Sequence, residues 1–462
     1  MYSVSVTVAP GLQGTGIGRR LKELQLRDAR SRTRADGSPR YQHVTGRNRV
    51  GRTAQMTHLN RVFGAHVVSI LTGQYEDPEG QAIYYRIPLG GIAPDQTLRA
   101  DAIADKKQAW GAAALGPDVL DAASGLTRVF GTPPESLRTA EASGLLYGPA
   151  VNKITLMNYV TPGMVRALEW IGALAPDLPH IYLTSSRDET VDKALRLLKT
   201  TRKQARVAIG VAGGYYGHTA ASCRSLSDPA VHRGGLPHFA WPRIPHPAVA
   251  GTAASIAALR EAVAAAGGPA HVYGFFYELV QERTGRVLPA DFVAALDGLR
   301  RELDLPLVAI ETTTAAYRSG HGPFASTAGV RPDVIAWWGG AQTGYLHVAS
   351  RWFVATPLAL VSTWDGDELS LIRNHHQLRA ARRIDVAAAA AALDEALGAV
   401  KASGLGLYRV IDAGDDADRI WARCKDHGVL LRRFPGGQLG VVPTLDEAAA
   451  VAERLGRALR AG

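Results

Sequence analysis

From about residue 154 the chain alternates short apolar runs with stretches of helical length, and this alternation constrains the fold more than any other feature of its 462 residues. The strand candidates are His180–Leu183, Ala205–Val211, His271–Tyr277, Leu307–Ile310 and Asp333–Trp338. Unbroken apolar runs of this kind suit strands buried on both faces, so the pattern predicts an α/β fold with a mostly parallel sheet flanked by helices. Helices are expected over Asp188–Thr201, Thr252–Ala266 and Ala290–Leu303, the second ending at Gly267-Gly268, a normal C-cap. From about residue 385 the elements alternate differently. Helices over Ala387–Val400, Asp415–His427 and Leu445–Leu459 frame strands at Leu407–Ile411, Val429–Arg433 and Leu439–Val442, which reads as a smaller C-terminal α/β domain. The expected plan is an irregular basic arm over 1–60, a segment over 61–155 contributing to the small domain or an interface, a large domain over 156–380 and the small domain over 381–462.

Charge is unevenly placed. The formal net charge is +10, and residues 19–52 hold eleven basic residues against three acidic ones. A local basic run implies a local acidic partner; the expectation is a solvated or dimer-wrapping arm, with docking of an acidic carrier protein or partner subunit on 19–52 as the functional alternative. Tyr41 is the one aromatic in that run, which disfavours single-strand nucleic-acid binding, held as a minor alternative. Cys223 and Cys424 stand far apart without a CxxC pair, so neither a disulfide framework nor a thiolate metal site is expected, and a cytoplasmic setting fits. No HExxH-type spacing points to a metal. No run of 18 apolar residues occurs, so no membrane span is expected, and MYSVSVTVAPGLQG lacks the pattern of a secretory signal.

Six stretches carry a resemblance when taken in order: NYVTPGMVRAL (158–168), LTSSRDETVDKALRLLK (183–199), GGYYGHTAAS (213–222), YELVQERTGRVLP (277–289), LVAIETTTAAYRSG (307–320) and RPDVIAWWGGAQTG (331–344). Together with the closing VLLRRFPGGQLGVVPTLDEAAAV, they resemble the motif series of class III aminotransferases, pyridoxal-phosphate enzymes of fold type I. The resemblance covers about two thirds of the chain and implies a seven-stranded large-domain sheet, a small C-terminal domain and a homodimer, or a heterodimer with an intact aminotransferase.

It also implies where cofactor chemistry should sit. Pyridoxal phosphate needs a lysine amine for its imine and a carboxylate at its ring nitrogen. The lysine position falls on Gly339 and the ring-nitrogen aspartate on Ile310; the glutamine expected at the 3-hydroxyl falls on Thr313. The phosphate cradle falls on Arg187-Asp188, where an acid opposes a phosphate dianion. No lysine lies between Lys203 and Lys401. The expectation is a protein without the cofactor, whose vacated pocket performs acid/base transfer, condensation or cyclisation on a free or carrier-bound amino-acid-derived metabolite. An Ala/Arg/Gly-rich, Lys-poor composition suggests bacterial specialised metabolism. The catalytic candidates are Glu278, His347, Glu311 and His218. The substrate-binding candidates are Arg187, Asp188, Tyr215, Gln281, Trp337, Trp338, Tyr345, Arg318 and Thr363, the last where the family reaches its neighbour's phosphate. The alternative from a different class is a non-catalytic partner subunit.

Overall fold

The computed structural model describes residues 12, 15–49, 56, 59–60, 62–71, 82–90, 119–142, 161–231, 238–327, 329–340, 342–362 and 365–460. They fall in two compact units, one of residues 1–107 with 138–147, the other of 108–137 with 148–462.

In the first unit, helix α1 (Ile17–Ser31) accompanies a three-stranded antiparallel sheet of β1 (His43–Arg49), β2 (His66–Leu71) and β3 (Ala82–Pro88) in the order β1-β3-β2. Within the arm expected to be irregular, Ile17–Ser31 and His43–Arg49 are therefore regular. Lys22, Leu26 and Ala29 recur at i, i+4 and i+7 and give α1 a buried face. Leu26 and Ala29 join Val44, Tyr85, Ile87 and Leu89 in one core cluster, and the Lys22 ammonium lies 5.6 Å from the Tyr85 ring centroid. The arginines that suggested a solvated arm at 19, 20, 27 and 30 take the exposed side. Gly46 is required here, because a Cβ would lie 2.4 Å from the Tyr85 hydroxyl across the sheet.

The second unit is built on seven strands: β5 (His180–Thr184), β6 (Val207–Val211), β7 (Arg243–Ile244), β8 (Val272–Tyr277), β9 (Leu307–Ile310), β10 (Val334–Trp338) and β11 (Gly344–Val348). Their order is β5-β11-β10-β9-β8-β6-β7. The pairs from β10 to β7 are parallel, while β11 runs antiparallel to both β10 and β5. Both faces are covered, which is why these strands read as unbroken apolar runs. Phe275, Tyr277, Ala309, Ile335, Trp337 and Tyr345 face one core, and Phe276, Val308, Ile310, Val334, Ala336 and Leu346 face the other. Strand β11 was not among the expected strands. It follows β10 closely in sequence and carries Tyr345 and His347, polar types that mask its burial.

The helices that matter for the site start where capping chemistry dictates. Helix α2 (Pro162–Gly172) has Pro162 in its first turn, and the Thr161 hydroxyl accepts from the Met164 N–H. Helix α3 (Arg187–Thr201) is capped by the Ser186 hydroxyl, which accepts from the Glu189 N–H, while the Glu189 carboxylate accepts from Ser185 N–H. Helices α4 (Thr252–Ala265) and α5 (Ala290–Leu303) follow the expected bounds, and α6 (Glu368–Ala381), capped by Asp367, packs on α2.

The remaining sheet orders β12 (Ala402–Leu405), β13 (Tyr408–Asp412), β15 (Gln438–Val441), β14 (Val429–Arg433) and β4 (Leu120–Ala122) side by side. It is antiparallel except for β14 with β4, which are parallel. Helices α7 (Val386–Leu397), α8 (Ala417–Asp426) and α9 (Ala448–Arg460) accompany it. The small sheet thus takes an edge strand from the N-terminal third of the chain. Gly131 and Thr132 N–H both donate to Asp446, 315 and 314 residues further on. Cys223 and Cys424 are buried free thiols. No helix among the described residues is long and apolar enough to cross a membrane, and no three potential metal ligands are gathered there.

Candidate functional site

In an open α/β sheet the carboxyl ends of the parallel strands are where ligands are met. Here the loop after β6 carries Tyr215 and His218, the turn after β8 carries Glu278, Gln281, Glu282 and Arg283, and the N-terminus of α3 supplies Arg187 and Asp188. Glu282 is the hub. Its fully buried carboxylate takes Arg187 at 2.7 Å, Arg432 at 3.4 Å and Arg283 at 3.9 Å. Burial alone would raise its pKa, but Arg187, Arg432 and Arg283 outweigh it and hold the carboxyl below the usual range. Two of those guanidiniums lie over the Tyr215 ring, Arg283 at 3.8 Å and Arg187 at 4.7 Å from its centroid.

Asp188 is held tightly. One carboxylate oxygen accepts the N–H of His218 and Thr219 and the Thr219 hydroxyl at 2.8 to 2.9 Å, while Arg187 approaches the other at 3.3 Å. Gly217, at φ +122°, makes room for this carboxylate, since a Cβ would lie 2.6 Å from it. Tyr215 Oη and His218 Nδ1 are 2.7 Å apart, and the His218 side chain is 53% exposed. Glu278 accepts the N–H of Tyr215 and of Glu282. Burial nevertheless pushes its pKa up to about 8, against those two donors and Arg187 and with help from the like charge of Glu282.

The second cluster surrounds the β10–β11 turn. A Cβ on Gly339 would lie 2.5 Å from Asn374 Nδ2 and 3.2 Å from the Tyr345 ring. Asn374 donates from that nitrogen to the Tyr345 hydroxyl at 3.0 Å. Trp337 stacks on Tyr345 with centroids 4.4 Å apart, and Phe324 meets both Trp337 and His347 edge-on. His347 is fully buried, and neither ring nitrogen has a hydrogen-bond partner. Desolvation lowers its pKa to about 3. The indole N–H groups of Trp337 and Trp338 are likewise unpartnered.

The structure therefore gathers Arg187, Asp188, Tyr215, His218 and Glu278 and separates others expected beside them. Gln281 braces its own turn, donating to Ala212 O and accepting from the Thr284 hydroxyl. Glu311 is buried, accepts the Ser326 N–H and the Thr314 hydroxyl, and is pushed up in pKa by burial. Arg318 is buried and donates to the carbonyls of Gly125 and Pro443, tying chain segments rather than facing a ligand; burial lowers its pKa to about 10. His347, Trp337 and Tyr345 lie within the core, and Trp338 is half-buried beside Gly339. Thr363 lies outside the described residues. Sequence reasoning passed over Glu282, Arg283 and Arg432. The first two stand inside the quoted 277–289 stretch, and a charged pair within a motif was the signal.

No protein-family model and no curated protein matches the chain. Solved structures do. A lysine aminotransferase from M. tuberculosis, in its internal aldimine form, is 21% identical at a TM-score of 0.64, over 73% of this chain and 87% of that one. A PLP-bound amine transaminase from an uncultivated Pseudomonas species is 20% identical at 0.65, over 74% and 90%. A PMP-bound aminotransferase from Vibrio fluvialis is 19% identical at 0.63, over 74% and 88%. At these identities the likeness concerns architecture: the chain has the α/β fold of the fold type I aminotransferases.

Proposed function

We propose that this chain is an enzyme on an aminotransferase scaffold that works without pyridoxal phosphate, using the old pocket for proton transfer on an anionic, amino-acid-derived substrate. The observation that carries this reading is the pair of guanidiniums over Tyr215. The resemblance assigns that ring to stacking on the cofactor, and Arg283 and Arg187 take the place of a pyridine. The neighbouring positions fit the group no better. Gly339 has no amine and its Cβ position abuts Asn374, Ile310 packs in the apolar core, and Asp188 already occupies the N–H groups of His218 and Thr219.

The chemistry of the residues present is acid/base chemistry. Tyr215 Oη and His218 Nδ1 share a hydrogen bond, and the exposed imidazole can pass its proton to a substrate or to water. Glu278 acts as a positioning residue, holding the Tyr215 and Glu282 backbone. Near neutral pH its raised pKa keeps it largely protonated, so three guanidiniums face two ionised carboxylates, Asp188 and Glu282. One positive charge is left over, which favours a carboxylate on the substrate. The chain is proposed to act as a homodimer, with an acidic carrier docking on 19–52.

The same closed ion cluster favours one further reading. If the guanidiniums exclude substrate as well as cofactor, the chain is the partner subunit of an intact aminotransferase, and co-expression with one gives a heterodimer. The deciding experiment is the absorbance spectrum between about 300 and 500 nm with and without added pyridoxal phosphate, followed by borohydride reduction and peptide mass spectrometry. No band beyond that of free pyridoxal phosphate and no stoichiometric lysine adduct are expected. A stoichiometric adduct on one lysine overturns the reading.

A further inference from the structure

Away from that pocket, the last turn of α2 and the end of α6 enclose a surface cavity of about 360 Å³ lined by Trp170, Arg379, Arg382 and Arg383. Trp170 is half-buried, and its ring centroid lies 5.4 Å from that of His375. Arg379 follows His375 by one helical turn, and Arg382 and Arg383 lie just past the helix end. All three arginines are exposed, and none pairs with a carboxylate or hydrogen-bonds elsewhere among the described residues. The nearest acids in sequence do not neutralise them. Asp385 caps α7 by accepting from Ala387 and Ala388 N–H, and Glu169 forms no ion pair. Some exposed arginines elsewhere are paired, as Arg260 is with Glu302 at 2.8 Å, while others such as Arg196 and Arg373 stand singly rather than grouped around an aromatic ring.

The surplus positive charge is felt locally. Desolvation, His376, Arg379 and Arg166 together lower the His375 pKa to about 4, so His375 adds no charge of its own near neutrality. A cation near a helix C-terminus is favourable for the helix itself, which accounts for Arg379. It extends to Arg382 at the C-cap, but it does not account for Arg383 beyond it or for an indole lining the same cavity. A guanidinium offers paired donors matched to phosphate oxygens, and an indole face offers a stacking platform for a planar ring. The volume falls within the range of small-molecule sites.

We propose that this cavity binds a phosphorylated planar heterocycle, the chemistry of a free nucleoside phosphate, with the ring on Trp170 and the phosphates on Arg379, Arg382 and Arg383. The site is independent of the reading of the main pocket, although α6 serves both: its inner face carries Asn374, which holds Tyr345 beside Gly339.

Isothermal titration of the full chain with ATP, adenosine and inorganic tripolyphosphate tests this. ATP is expected to bind with a Kd below about 1 mM, and each half-ligand at least about tenfold more weakly, a difference of ~1.4 kcal/mol. The Arg382→Gln/Arg383→Gln double variant should weaken ATP at least about tenfold. Trp170→Leu should weaken ATP while leaving tripolyphosphate unchanged. Trp170→Phe, which keeps an aromatic face, should restore most of the affinity and serves as the check on folding. An Arg20→Gln/Arg27→Gln variant in α1 should bind ATP like the parent chain. Four outcomes overturn the proposal: no heat with ATP, equal affinity for ATP and tripolyphosphate, loss of binding in the α1 variant, or a poly(U) oligomer binding more tightly than ATP.

Discussion

The unit that carries the candidate site buries polar side chains in two places and treats them in opposite ways. Around Tyr215 every charge has an opposite charge nearby, although Glu282 Oε1 and Arg283 Nε make no hydrogen bond: Glu282 has three guanidiniums, and Asp188 has two N–H groups, a hydroxyl and Arg187. Around Trp337 the polar atoms are buried without partners, as in both nitrogens of His347 and the indole N–H groups of Trp337 and Trp338. The first cluster keeps its charge by pairing, and the second stays neutral because burial forbids charge. Polar residue type alone therefore does not mark a functional position. What we take to mark it is whether a polar group stays charged, partnered and near solvent; by that measure the Tyr215 cluster is the proposed site, while His347 is buried in the core.

The largest expected effect tests the paired cluster. Glu282→Ala leaves three guanidiniums around Tyr215 without their central carboxylate and should cost about 3–5 kcal/mol in chemical denaturation. A loss under about 1 kcal/mol would mean the cluster is solvated. The pH dependence should separate the two regions by sign. His347 has a folded pKa of about 3 against an ordinary 6.5, so the unfolded chain binds the extra proton and stability falls as pH drops from 6.5 toward 3. Glu278, at about 8 against an ordinary 4.5, holds its proton longer when folded, so its contribution to stability falls as pH rises from 4.5 to 8. Replacing His347 by Phe should flatten the acid limb, and replacing Glu278 by Gln the upper one, each by at most about 1.4 kcal/mol per pH unit. Identical pH profiles for the variants and the parent chain would refute the assignment.

Next in size, His347→Phe removes two unpartnered nitrogens and should leave stability unchanged or raise it by roughly 1 kcal/mol at neutral pH. A loss of several kcal/mol would reveal a partner for the imidazole. The smallest effect concerns the chain between Glu311 and Arg318. Ala316 and Tyr317 have φ of +60° and +66°, which L-residues adopt at a cost. Ala316→Gly should gain roughly 0.5 kcal/mol, read as a modest rise in Tm; a fall would show that the methyl contributes more by packing than it costs in strain.

The parallel sheet was legible because its strands are covered on both faces and so read as continuous apolar runs. The bounds of β9 and α5 agree with the expectation to the residue. Strand β11 was not legible, since Tyr345 and His347 look like site residues until the antiparallel register sets them against Trp337 and Ile335. Helix α1 was obscured by its own arginines. In the site, Arg187, Asp188, Tyr215 and His218 stood within quoted stretches and do meet in space. Asn374 could not be found, because its role depends on a hydrogen bond to Tyr345, 29 residues away. Arg283 stood in a quoted stretch as half of a charged pair, but its placement over Tyr215 depends on the tight turn at Gln281–Arg286, where the Gln281 N–H donates to Arg286 O.

The edge strand β4 has a consequence for synthesis. Leu120–Ala122 leave the ribosome early, yet their partner in the sheet is Val429–Arg433, near the end of the chain. At about 5–20 residues per second, the 315 residues separating Gly131 from Asp446 take roughly 15 to 60 s to appear. During that interval the 119–132 segment has no sheet to join, while the seven-stranded sheet, whose strands run from 180 to 348, can already assemble. β4 is joined to its sheet last, so a truncation removing the final strands would leave it as an unpaired edge open to other chains.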